Sequence, residues 1–281
     1  MKILAGPFLL FKNHKTLFIL TLILVIFSTV ITQVGGLIVW LFIAPAIAVA
    51  RKVGAYKTLI GSSVVIAGYL LTAIVIIPPL ASISGRTTLP WASSDELLLS
   101  PRSWIFNLSM RNYVKSELLE MLTDVSQKYS AKYPGYEIQY LDASFPFFDG
   151  IPLLPHFSHH DGKKIDLALI YKDENSKQVK SPSFFGYWIY AQPQKNERQP
   201  CANQKSPLRW DFDLLQSRHD SILLDEEKTA YLAKLLVAHT QTHKLFIEPH
   251  LKDRLHLNNS KVRFQGCRAA RHDDHIHVQV K

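Results

Sequence analysis

Apolar residues are distributed in two different ways along this chain. Residues 17–31, 37–50 and 59–80 are nearly unbroken apolar runs with polar or glycine-bearing breaks between them, whereas later apolar residues are spaced singly. One helix through the first two runs would be roughly 50 Å long, well beyond a hydrocarbon core of about 30 Å. The chain is therefore expected to turn, and Thr32, Gln33, Gly35 and Gly36 suit the turn. The pattern predicts a membrane region over 1–81, with transmembrane helices at about 16–32, 36–50 and 58–80. Residues 82–103, with Gly, Pro, Ser and Thr and no periodicity, read as a linker to a domain at 104–281.

Within that domain the periods shorten. Leu118, Leu119, Leu122 and Val125 are spaced as on one face of a helix over 113–133. Segments 136–141, 165–171, 260–264 and 275–280 read as strands, and Phe246 with Ile247 forms a short apolar stretch ended by Pro249. Asp225, Glu226 and Glu227 read as a cap and acidic first turn of a helix reaching about residue 239, with acidic groups at the positive end of its dipole. Residues 145–157, rich in proline and aromatics, predict an ordered loop. The expected fold class is α+β, an antiparallel sheet core with flanking helices after N-terminal transmembrane helices. There is no internal repeat or low-complexity tract.

Charge gives this layout a direction. Of the formal net charge of +9, residues 1–85 supply +6, since they hold six Lys or Arg and no Asp or Glu. Lys12 and Lys15 precede the first run, and Arg51, Lys52 and Lys57 lie between the second and third. The positive-inside bias puts both sites in the cytoplasm and sends the domain across the bilayer. A signal peptide has one short apolar run and does not account for three. If the third run were instead buried in the domain, two spans would leave that domain in the cytoplasm. The domain's near-neutral balance argues against a nucleic-acid partner. Cys201 and Cys267, the only cysteines, both fall in the exported part. In an oxidising compartment they can pair, and closing that loop stabilises by ~4 kcal/mol on the chain-entropy model.

The candidate chemistry lies in two segments, 158–166 and 272–278. On a strand, His275 and His277 project from one face while Ile276, Val278 and Val280 take the other. Asp166 shares a face with Ala168 and Ile170, and Gly162 brings His159 round in the turn before it. His, Asp and His form a ligand set suited to zinc that leaves a fourth position for water. His14, His156, His219, His239 and His243, each isolated, read as surface or satisfied buried groups.

His159, Gly162 and Asp166 match the pattern HxxGxxxD, and His275 and His277 form a late HxH. Together they resemble the zinc peptidases named for lysostaphin, D-Ala-D-Ala peptidases and hedgehog domains. Within that group the nearer match is to the penicillin-insensitive murein endopeptidases and D-Ala-D-Ala-type peptidases, which end in a similar His-x-x-His-x-His, here His272, His275 and His277. The resemblance implies Zn2+ held by His159, Asp166 and His277, with His275 as general base or transition-state stabiliser and His272 as a polar contact. It also implies a membrane-anchored metallopeptidase cutting peptidoglycan stem or cross-link peptides on the outer face of a bacterial cytoplasmic membrane; no protein partner is implied. The membrane region and the Cys201–Cys267 pairing lie outside the family pattern, and Phe157 stands where many such enzymes carry Ser.

Several neighbours complete the expectation. Asp273 and Asp274 could fix the tautomers of His275 or His277. Arg268 and Arg271, near Arg263, could bind a substrate carboxylate, or form a basic surface patch. Glu248 is too far from the HxH to match the glutamate some relatives use as base, and reads as a surface or salt-bridged carboxylate. Two alternatives remain open: an inactive membrane-anchored zinc-binding module of the same fold, and a metal-dependent nuclease.

Overall fold

Thr32 makes the turn that the apolar pattern demands. Helix α1 (Lys15–Thr32) ends where the Gly35 N–H donates to the Thr32 hydroxyl (2.7 Å) and Gln33 takes φ 71°, and α2 (Gly35–Ala50) runs back beside it. The computed structural model describes residues 15–53, 56–95, 97–201, 216 and 221–281; His14 and His219 lie outside these. Helix α3 (Lys57–Ile83), 27 residues with an 18-residue stretch of mean hydropathy 2.3 and a π-turn at Thr72–Ile76, is long and apolar enough to cross a membrane. At 18 and 16 residues, α1 and α2 are shorter apolar helices. Ile19, Ile23 and Phe27 of α1, Leu37 and Leu41 of α2, and Leu59, Ile66 and Val75 of α3 stand exposed, a belt far larger than a water-facing surface ordinarily carries.

The helical layer is fastened to the domain at the hairpin tip. Gln33 donates to the Phe148 carbonyl (3.3 Å) and accepts from the Phe147 N–H (3.0 Å), while the Tyr69 hydroxyl donates to the Leu108 carbonyl (2.6 Å). Beside these, Ile38, Ala73, Ile77 and Ala81 pack with Met110 and Tyr113 in one buried cluster.

The segment expected as a linker is instead built into the fold. Strand β1 (Thr87–Thr88) pairs with Tyr113–Val114, β2 (Leu99–Pro101) forms a sheet edge, and Arg86, Leu89 and Leu99 are buried. Strands of two or three residues are too short to print an alternation in sequence. The chain continues through α4 (Ile105–Leu108), β3 (Tyr113–Val114), α5 (Ser116–Lys132), β4 (Ile138–Tyr140), β5 (Lys164–Ala168), β6 (Tyr171–Lys172) and β7 (Gln178–Val179). After these come β8 (Leu223–Leu224), α6 (Glu226–Ala238), β9 (Thr242–Phe246), α7 (Pro249–Arg254), β10 (Val262–Arg263) and β11 (His275–Val280).

The main sheet runs β10-β9-β11-β5-β4-β2. Its centre is antiparallel, as expected, but both outer pairs, β10 with β9 and β2 with β4, are parallel. Leu118, Leu122 and Val125 of α5 and Leu232 and Leu236 of α6 close one face over Ile165, Leu167, Ile276 and Val278. Asp225 caps α6, its carboxylate accepting from the Lys228 N–H (3.1 Å). Four expected elements are shorter: the strands over 136–141 and 260–264 narrow to Ile138–Tyr140 and Val262–Arg263, and two others are cut short for visible reasons. The strand over 165–171 stops at Ala168 because Tyr171 leaves for a second sheet, β7-β6-β8. The helix over 113–133 starts at Ser116 because Tyr113 and Val114 pair with β1. Cys201 and Cys267 are joined in a disulfide.

Gly36 of α2 packs directly against the backbone of α1. A Cβ there would meet the Val25 carbonyl oxygen at 2.2 Å, whereas one on Gly61 would find nothing nearer than Ala50 at 3.4 Å. Gly36→Ala should therefore lower stability by ~1–3 kcal/mol, the cost of overpacking. Gly61→Ala should be neutral or stabilising by up to about 1 kcal/mol. Thermal unfolding of the full chain in detergent micelles checks both.

Candidate metal centre

The antiparallel register of β5 and β11 sets the site. His277 lies directly opposite Asp166 and His275 opposite Ala168. Opposed residues project from the same face, so the residues facing α5 and α6 are Ile276, Val278, Ile165 and Leu167, and the polar set faces the other way. His159 enters from the turn before β5, where Gly162 takes φ +75° and its carbonyl accepts from the Lys115 N–H (2.8 Å). The His159 Nδ1–H donates to the Ala143 carbonyl (2.7 Å), which leaves Nε2 bare and aimed inward.

Three atoms then converge. His159 Nε2 is 3.0 Å from His277 Nδ1 and 3.3 Å from Asp166 Oδ1, and His277 Nδ1 is 2.8 Å from the same oxygen. All three side chains are buried. The other nitrogen of His277, Nε2, faces the Gln279 side-chain amide at 2.8 Å. Turning that amide end for end lets its oxygen accept from Nε2–H, which frees Nδ1 as a donor of electrons. Burial, outweighing the pull of Asp166, brings the His277 pKa down to about 4, so the ring is neutral, as a ligand must be. Burial alone would raise the Asp166 pKa, but His159, His275 and His156 hold it well below the usual carboxylate range.

His156, read from sequence as an isolated histidine, belongs to the centre. With His159 and Asp166 it forms a group whose ligand atoms lie within 4.8 Å of one another and which could hold a metal ion. Its Nδ1 sits between two carboxylates, 2.9 Å from Asp166 Oδ2 and 3.3 Å from Asp142 Oδ2. Burial opposes its charge, yet Asp166 and Asp142 raise its pKa to about 10. A protonated bridge between two anions fits that position better than a ligand. The Tyr187 hydroxyl donates to Asp166 Oδ2 (2.8 Å), and Asp142 is gripped by both Arg111 Nε (2.6 Å) and Nη2 (2.8 Å). Sequence reasoning missed His156, Asp142, Arg111 and Tyr187. The one available signal was that a proline-rich ordered loop holds whatever it carries, and His156 follows Pro155 in that loop.

The two histidines assigned to catalysis differ in character. His275 Nδ1–H donates to Asp274 Oδ1 (2.5 Å), placing Nε2 3.7 Å from Asp166 Oδ2. Burial works to lower its pKa, but Asp166 and Asp274 raise it. Asp274 is itself fixed by the Trp188 N–H (2.6 Å). His272, 4.9 Å from the His275 ring between centroids, has its pKa held well below the usual imidazole range by burial first and by His275 beside it.

The remaining candidates separate clearly. Arg268 borders a cavity of about 240 Å3 that also touches His159, Asp166, His272, His275 and His277. Arg271 lies outside it, its guanidinium on Asp273 (2.6 Å) and stacked 3.9 Å over the Tyr190 ring. Asp273 thus serves Arg271, and Asp274 alone of the pair orients a site histidine. Glu248 is buried, not a surface group; its Oε1 accepts from the His272 N–H (3.3 Å), steadying the approach to β11. Neither a protein-family model nor a curated protein matches this sequence.

Two nitrogens of Arg111 grip Asp142, and the guanidinium is buried with the carboxylate. Asp142→Asn should cost ~3–5 kcal/mol by leaving a buried guanidinium uncompensated. Asp124→Asn, at an exposed Lys128 pair (2.7 Å), should cost under about 1 kcal/mol. Chemical denaturation of the two variants in metal-free buffer gives the comparison.

Proposed function

We propose that the chain is a membrane-anchored zinc peptidase that cuts peptides of the bacterial cell wall on the outer side of the cytoplasmic membrane. The observation that carries this reading is the convergence of His159 Nε2, Asp166 Oδ1 and His277 Nδ1 at 2.8–3.3 Å from one another. Around a tetrahedral ion with arms of ~2.0–2.1 Å, ligand atoms stand roughly 3.3 Å apart, so the donor set suits zinc and leaves a position for water. The resemblance of HxxGxxxD and HxH to murein endopeptidases supplies the reaction class. The Cys201–Cys267 disulfide and the crossing-length α3 support export.

Zinc held there supplies a Lewis acid for the scissile carbonyl and lowers the pKa of a bound water toward about 7. The protein's own groups do the rest. His275, with Nδ1 tied to Asp274, presents Nε2 to the cavity as the group that takes a proton from water and returns it to the leaving amine. Its raised pKa suits the proton-bearing stage. His156 and Tyr187 keep the second oxygen of Asp166 occupied, which directs Oδ1 to the metal. Arg268, on the cavity wall, is placed to take a substrate carboxylate.

Full-length protein in detergent, loaded with zinc and incubated with muropeptides, should release products visible by mass spectrometry. His277→Ala should lose both zinc and products, and identical products from it and the wild type would overturn the reading. His275→Ala should keep zinc and lose about 10²–10⁴-fold in kcat. Gln279→Leu should weaken zinc binding about 10–100-fold in a chelator competition, through the tautomer of His277.

A further inference from the structure

A second cavity, of about 340 Å3, adjoins the metal centre, and its walls are of a different kind. It shares His156 and His275 with the smaller one, so the two meet at the histidine proposed to move the proton. Away from that junction Arg111, Asp142, Arg271 and Asp274 contribute charged edges, but most of the wall surface is apolar, from Phe106, Leu154, Phe185 and Trp188 together with Ile31. Ile31 belongs to the last turn of α1, an apolar helix with a lipid-facing belt. A helix of the membrane layer therefore forms part of the wall of a pocket that ends at His275.

The rim points the same way. Trp104, Phe184 and Phe185 are 55%, 49% and 37% exposed, unusual for rings of this size on a water-facing surface. They form a continuous file, Trp104 to Phe184 at 6.4 Å, Phe184 to Phe185 at 5.0 Å and Phe185 to Trp188 at 6.0 Å. Tyr187 completes it, 5.0 Å from the His275 ring. Aromatic side chains of this kind concentrate where hydrocarbon meets headgroups. Gln33 and Phe147–Phe148 fix the hairpin tip against the domain, so the pocket mouth lies level with the end of α1. The volume falls within the roughly 300–1,000 Å3 of small-molecule sites.

We propose that this pocket takes the hydrocarbon chain of a lipid-linked substrate, so that the bond presented at His275 belongs to a peptide still attached to the membrane. The proposal rests on the peptidase reading and narrows it from wall peptides in general to membrane-bound ones. An apolar side chain of a free peptide is the competing occupant.

The test uses full-length protein in nanodiscs and one peptide made in two forms, bare and carrying a palmitoyl chain with a diazirine. Irradiation should label Ile31, Phe106 or Trp188, with loss of label on adding excess acylated peptide. The ratio of kcat/KM, acylated over bare, should fall about tenfold or more in Ile31→Trp, which fills the pocket. Ile23→Trp, on the lipid-facing side of α1, should keep the wild-type ratio and so controls for partition into the bilayer. Label confined to the lipid-facing belt, a ratio unchanged in Ile31→Trp, or displacement of the label by a bare peptide with a large apolar side chain would overturn the proposal. Labelling of the pocket without cleavage of either peptide refutes the peptidase and keeps the lipid site. Equal cleavage of both peptides without labelling does the reverse.

Discussion

A carboxylate with no access to water must be compensated from every side, and Asp166 is such a carboxylate. Its Oδ1 faces His159 and His277, and its Oδ2 faces His156 and Tyr187. Each of the three histidines is in turn fixed: His159 by Ala143, His277 by Gln279, and His156 by Asp142, which is neutralised by Arg111. The ring of residues around Asp166 is therefore a single electrostatic unit, and removing one member exposes the next to an unpaired charge. The register of β5 against β11 makes it possible, because it puts Asp166 and His277 face to face. A slip of one residue would send one of the pair into the apolar core.

That same register explains how the fold joins an apolar helical layer to a sheet domain without blurring the site. The apolar face of the sheet is sealed by α5 and α6, so the polar face is free to meet other elements. What meets it is the loop 145–157 and the segment around Phe184–Tyr190, the former pinned by the hairpin tip. The apolar helices thus reach the candidate site through a loop, while the strands that carry Asp166 and His277 are held by the domain's own core.

Sequence made some of this legible and hid the rest for identifiable reasons. The strand over 275–280 was readable because six residues that alternate polar and apolar match a strand buried on one face and do not match a helical period, and its two histidines emerge on the expected face. Asp225 as a cap and the Thr32–Gly35 turn were readable because capping and turning are local chemistry. The folded nature of 82–103 was not, since β1 and β2 are defined by partners far away in sequence. His156 was hidden for the same reason. Nothing next to it is charged, and its two carboxylates come from positions 142 and 166. Histidines within a motif declare themselves, whereas one recruited by tertiary structure does not.

The distinction bears on which parts of the site are bound to the chemistry and which to the place where it occurs. His159, Asp166, His275 and His277 lie in short motifs whose spacing is dictated by two paired strands and one turn, so the same chemistry could sit on any domain with that sheet. His156, Tyr187 and the apolar wall reaching to Ile31 come from the loops that the membrane hairpin touches. His156 belongs to both sets, bridging Asp166 on one side and lining the apolar pocket on the other. A group that bridges carboxylates on one side and bounds an apolar wall on the other is where a change in that pocket reaches Asp166. The loop holding it, pinned through Phe147 and Phe148 to Gln33, is the physical path by which the apolar helical layer reaches the candidate site.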